Sequence, residues 1–117
     1  MNIWTLNKHK HIKLLLLNLQ KHLGNDHFQM VNSEYDDFFA IELVKPDHPE
    51  VRAYIYIHGQ QHHYYGIHLE YPWLDENGID DVLQDYEDLS IKKIITILAS
   101  HFEVPTYADN YGAARIQ

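Results

Sequence analysis

Residues 51–71, VRAYIYIHGQQHHYYGIHLEY, decide the fold. Val51, Ala53, Ile55 and Ile57 alternate with Arg52, Tyr54, Tyr56 and His58, and after Gly59-Gln60-Gln61 the alternation resumes through Tyr65, Ile67 and Leu69. Period two with β-branched and aromatic residues around a glycine-bearing turn specifies a β-hairpin. A two-residue turn at Gly59-Gln60 would place Ile67 and Leu69 on the face opposite the first strand's apolar set and split the core. A loop of Gly59-Gln60-Gln61 pairs Val51 with Leu69, Ala53 with Ile67, Ile55 with Tyr65 and Ile57 with His63, and makes one face almost wholly apolar. On the other face Arg52 then lies beside His68, Tyr54 beside Gly66, Tyr56 beside Tyr64 and His58 beside His62, with Glu70 following.

Outward from the hairpin, segments 28–32 and 38–45 have strand character and are separated by turn formers, among them Asp36-Asp37 and Lys45-Pro46-Asp47-His48-Pro49. Four sequential strands with short connections imply an antiparallel meander, because a parallel crossover requires a dozen or more residues. Ahead of the strands, Ile12, Leu15, Leu16, Leu19 and Leu23 recur at helical spacing and Gly24-Asn25 supplies a stop, which predicts a helix over 7–23 capped by Asn7, with Trp4 and Leu6 packed before it. Behind them Ile79, Val82, Leu83 and Tyr86 predict a short amphipathic helix over 79–87 with a negative outer face. Ser90 then caps a helix over 91–103, whose stripe is Ile91, Ile94, Ile95, Leu98 and Phe102, with Pro105 after its end. The expected class is α+β: a meander sheet with an N-terminal and a C-terminal helix on one face, in one domain over 1–105, followed by a tail over 106–117 that adds a strand or frays.

At 117 residues the chain suffices for one core without staples. The absence of cysteine excludes disulfides, thiolate metal sites and a cysteine nucleophile, and agrees with a reducing compartment, so the cytoplasm is expected. The most apolar run, 12–19, is interrupted by Lys13 and Asn18 and falls short of the roughly 20 residues of a membrane span. It is also followed by no small-residue cleavage site of the kind a signal peptide requires. Charge is unevenly placed: residues 1–21 carry +4, residues 22–90 carry −13 and residues 91–117 carry +1, for a total of −8. A body this acidic repels phosphates, so nucleic acid is not an expected partner and a basic protein is.

Ten histidines invite a catalytic or metal reading. His9 and His11 are two apart, do not share a helical face and are expected to be solvated. His58 and His62 face each other across the loop with no third ligand nearby in sequence, so no metal and no cofactor is expected. His68-Leu69-Glu70 and His101-Phe102-Glu103 match the H-x-E fragment of zinc deaminases without the cysteines that signature needs. A phosphodiesterase built from His58, His62, His68 and Arg52 is the enzymatic alternative, opposed by the acidic body and by the lack of a glycine-rich anion cradle. No serine elbow, P-loop or dinucleotide fingerprint occurs.

Recognition remains. Tyrosine buries large area at low entropic cost, and tryptophan and arginine join it at binding hot spots. The candidate partner-binding set is the non-core hairpin face, Arg52, Tyr54, Tyr56, His58, His62, Tyr64, His68 and Glu70, with Trp73 and the acids Asp75, Glu76, Asp80, Asp81 and Asp85 of the following segment.

Residues 39–44 (FAIELV), 65–71 (YGIHLEY) and 89–98 (LSIKKIITIL) resemble the strand, strand and closing helix of the small immunity proteins that bacteria pair with polymorphic or contact-dependent toxins. The resemblance lies in organisation over residues 7–103 and assigns no residue by position. It implies a non-enzymatic protein that binds one cognate toxin in the cytoplasm, often a basic nuclease, and blocks its active site or substrate groove. The other alternative is a small self-associating regulator that uses the hairpin face on itself.

Overall fold

A computed structural model describes residues 2–31, 37–75 and 78–105, with the backbone alone over 72–75 and 78–83. A 3-10 turn, Ile3–Thr5, precedes helix α1, Lys10–Leu23. Five strands follow: β1 Gln29–Met30, β2 Ala40–Lys45, β3 His48–Tyr56, β4 Tyr65–Asp75 and β5 Gly78–Leu89. Helix α2, Ile91–His101, comes after them. The strands form one antiparallel sheet in chain order, so each pairs with its sequence neighbours.

The core forms where the apolar parity of the strands meets the apolar stripes of the helices. Ile12, Leu15, Leu16, Leu19 and Leu23 of α1 and Ile94 and Leu98 of α2 are buried with Ile41 and Leu43 of β2, Ala53 and Ile55 of β3, and Tyr65, Ile67 and Leu69 of β4. Both helices therefore cover one face of the sheet, and the opposite parity carries Glu42, Tyr54 and His68 in register across β2, β3 and β4. Tyr65 crosses the core: it is 1% exposed, and its hydroxyl donates to the His11 carbonyl of α1 at 2.8 Å. Burial alone raises that phenol to about 12.

The hairpin keeps its expected faces but not its expected register. Ala53 pairs with Leu69 and Ile55 with Ile67, a slip of two residues from the pairing of Ala53 with Ile67. A slip of two preserves parity, which is why the apolar face survives it. Tyr56 now stands opposite Gly66, and residues 57–64 form the loop. Ile57 has left the ladder, but its N–H still donates to the Phe39 carbonyl at 3.0 Å.

The acidic segment is strand, not helix: β5 pairs with β4 from Leu89 opposite Tyr65 to Gly78 opposite Asp75. A nine-residue helix rich in aspartate is weak on its own, whereas a strand here satisfies the free edge of β4 along its length. At α1, His9 and not Asn7 is the cap, and Trp4 is 62% exposed instead of packed, with Leu6 alone partly buried against the core. Gly24 closes α1 at φ 83° as its sequence suggests, and the Ser90 hydroxyl accepts from the Lys93 N–H at 3.2 Å as expected. The strand expected over 28–32 reaches only Gln29–Met30. The tail expected over 106–117 lies outside the described residues.

Candidate functional site

The sheet face turned away from the helices gathers the aromatic and ionic side chains. Strand alternation puts Arg52, Tyr54 and Tyr56 on it from β3 and His68 from β4. The rings of Tyr54 and Tyr56 stack at 5.9 Å between centroids, and His68 stands edge-on to both, 6.0 Å from Tyr54 and 5.2 Å from Tyr56. Gly66 makes this packing feasible, because the Tyr56 ring occupies the space that a Cβ at position 66 would need.

Carboxylates surround the aromatic centre. His68 Nδ1 lies 3.2 Å from Asp85 of β5, and the Arg52 guanidinium lies 3.3 Å from Glu42 of β2. Glu70 holds the register position opposite Arg52. At the β2 end, Asp37 accepts the Phe39 N–H at 2.8 Å and contacts His58 Nε2 at 2.8 Å and the Tyr54 hydroxyl at 3.5 Å. The Phe39 N–H foremost, then His58 and Lys8, hold the Asp37 carboxyl below its ordinary range. Burial raises the Tyr54 and Tyr56 phenols, and neighbouring carboxylates reinforce the shift, so both hydroxyls are donors at neutral pH. Glu87 and Asp88 continue the acidic rim, held to the loop by Gln60 Nε2 at 3.3 Å and the Gln61 N–H at 3.1 Å.

Of the residues singled out in sequence, Tyr54, Tyr56, His58, His68 and Asp85 are joined by these contacts through Asp37, and Arg52 stands beside them against Glu42. Tyr64 is 40% exposed but sits in the loop ahead of β4, so Gly66 takes the place opposite Tyr56 that was expected for it. His62 is not beside His58: its ring packs 5.4 Å from His11 and 3.8 Å from His63, at the N-terminus of α1. Trp73, Asp75, Asp80 and Asp81 fall on backbone-only stretches, with Trp73 opposite Asp80 and Asp81 opposite Pro72, and Glu76 lies outside the described residues. A strand divides these acids by parity where a helix would have collected them on one side.

Two groups escape the sequence analysis. Asp37, Glu42 and Phe39 complete the site from β2 and the turn before it, a long-range placement for which spacing gives no signal. The second group is a histidine cluster in which His11 lies 4.8 Å from His63 and 4.9 Å from His9, corrected from the expectation that His9 and His11 are merely solvated. Among the described residues no three histidine, aspartate or glutamate side chains are arranged to hold a metal ion.

An open groove of about 580 Å³ runs between α2 and the outer strands, lined by Leu69, Tyr71, Gln84, Tyr86, Ile97 and His101. His101 Nε2 donates to the Arg52 carbonyl at 2.7 Å, and burial lowers its imidazole below the ordinary value. That bond ties α2 to the backbone of β3. No helix among the described residues is long and apolar enough to cross a membrane. No protein-family model, curated protein or solved structure matches the chain.

Proposed function

We propose that this chain is a non-enzymatic immunity protein that binds and neutralises a cognate bacterial toxin, a basic nuclease, in the cytoplasm. The observation that carries the proposal is the sheet face left free by both helices, with a stacked Tyr54–Tyr56 pair and an edge-on His68 inside a ring of Asp37, Glu42 and Asp85. Aromatic side chains of this kind supply affinity when desolvated, and a surrounding negative field speeds encounter with a basic partner and disfavours others. Such a surface substitutes carboxylates for the phosphates of a nucleic acid substrate.

The arrangement gives no comparable support to a phosphodiesterase. His58 and His68 each face a carboxylate, Arg52 is matched by Glu42, and His62 is engaged with His11 and His63. Carboxylates this close to the cations repel a phosphate.

The test is coexpression with the product of the adjoining coding sequence. Rescue of growth and co-purification of a basic, toxic protein at one to one support the function. A non-toxic neighbour of metabolic type, or hydrolysis of RNA, DNA or a small phosphodiester by the purified chain alone, overturns it.

A further inference from the structure

We propose that the N-terminus of α1 is a histidine latch that acidification opens: neutral imidazoles hold the helix cap and the β3–β4 loop together, and their protonation releases both. The latch is independent of the toxin-binding role and needs no partner.

The first half of the latch is the cap. His9 precedes α1, and its Nδ1 accepts the His11 N–H at 3.1 Å. That duty usually falls to a serine, threonine, aspartate or asparagine oxygen, which accepts at any physiological pH. An imidazole nitrogen accepts only while it carries no proton, and imidazolium has donors alone. Protonation of His9 therefore removes the acceptor and adds a positive charge at the end of the helix dipole that is already positive. The His9 N–H donates to the Phe38 carbonyl at 2.9 Å, which holds the cap against the turn before β2.

The second half is the loop. His62 and His63 pack their rings on His11, at 5.4 and 4.8 Å, and on each other at 3.8 Å. His63 adopts φ 69°, the left-handed conformation that histidine enters more readily than most side chains, and this turns its ring toward His11 and His62. Imidazoles at these separations pack while neutral and repel when charged.

Among the described residues the carboxylates of β5 that reach the loop are bonded to its other side chains and amides, Glu87 by Gln60 Nε2 at 3.3 Å and Asp88 by the Gln61 N–H at 3.1 Å. Lys8, near the cap in sequence, directs its ammonium to the Asp37 carbonyl at 2.7 Å, Lys10 opens the helix, and Lys13 directs its ammonium to the Trp4 carbonyl at 2.9 Å. From the turn before β2 the His9 ring meets Phe38 and Phe39, and Asp37 there is engaged by the Phe39 N–H and by His58. From β4 the contact is the neutral Tyr65 hydroxyl on the His11 carbonyl. Among the described residues no carboxylate pairs with His9, His11, His62 or His63. Burial first, then the charges of His9, His63, His62 and Lys10, lower His11 from its ordinary value.

Amide hydrogen exchange of the full chain at pH 7.5 and 5.0, corrected for intrinsic rates, tests the latch. The expected result is a tenfold or greater loss of protection at pH 5.0 for His11, Ile12 and Lys13 and for residues 60–64, beyond any change in the amides of β2 and β3. His9→Asp, whose carboxylate caps at both pH values, abolishes the loss in α1, and His11→Asn abolishes it in the loop. Unchanged protection in the wild-type chain, or a wild-type loss retained in both variants, overturns the proposal. Imidazole nitrogen chemical shifts of the wild-type chain add a check that needs no variant: a protonated His9 Nδ1 at pH 7.5 also overturns it.

Discussion

Tyr65→Phe isolates one hydrogen bond inside an otherwise unchanged core. The ring stays, its volume is nearly conserved, and the lost group is the hydroxyl that donates to the His11 carbonyl at 2.8 Å. That carbonyl lies in the first turn of α1 and keeps its intrahelical donor, so no acceptor is stranded and the loss at pH 7 is the net worth of one bond, about 1 kcal/mol. High pH adds a second handle with the opposite sign. The folded phenol is raised from 10.0 to about 12, so its contribution is complete below pH 10 and is lost as pH rises through the folded value. Two pH units correspond to roughly 3 kcal/mol between those limits. A phenylalanine has no such loss, and the stability difference between the two chains reverses near pH 11, where the ionisation loss reaches about 1 kcal/mol. Urea unfolding of both proteins at pH 7 and at pH 11.5, with m-values compared, measures this directly. A variant that stays less stable by the same amount at both pH values would refute the burial of the Tyr65 hydroxyl.

Other expectations concern the site, the pH profile and the second helix. Gly66→Ala pushes the Tyr56 ring outward, and because that ring is half-exposed the variant folds at a cost under about 2 kcal/mol. Nuclear Overhauser contacts between Tyr56 and His68 disappear in it if the site is as described. Acidification from pH 7.5 lowers stability in two stages. His11 and His101, both lowered in the folded state, contribute fully above the unfolded value of 6.5 and lose that contribution as pH falls through their folded values. Asp37 and Glu103, also lowered, do the same below 3.8 and 4.5 respectively. Urea midpoints taken every half pH unit show both stages, and a midpoint that rises between pH 7.5 and 5.5 contradicts the assignment. Ser90→Ala removes the α2 cap at a cost of about 1 kcal/mol, and Ser90→Asp keeps it, as thermal unfolding of the pair shows.

Parity explains which parts were legible in the sequence. The alternation of Val51 to Leu69 fixes which side chains share a face for any even slip, so Arg52, Tyr54, Tyr56 and His68 could be grouped although Tyr56 faces Gly66 and not Tyr64. Helix stripes and the Ser90 cap are local and were readable for the same reason: neighbours a few residues apart decide them. The segment from Gly78 to Leu89 was not. Ile79, Val82, Leu83 and Tyr86 fit a helical period, and only the free edge of β4 favours a strand. His62, Asp37 and the histidines at the start of α1 depend on where the loop and the turn before β2 come to rest. That is set by tertiary packing, on which residue spacing is silent.

Binding to the proposed partner, the product of the adjoining coding sequence, measured by calorimetry at 50 and 300 mM salt, bears most directly on the aromatic face. The double variant Tyr54→Ala/Tyr56→Ala is expected to weaken the complex about 30-fold or more, the hot-spot range, with little change in salt dependence. Asp85→Lys is expected to weaken it about tenfold at low salt and to flatten the dependence. If both variants bind as the wild type does at both salt concentrations, the open sheet face is not the interface and the proposed function loses its structural basis.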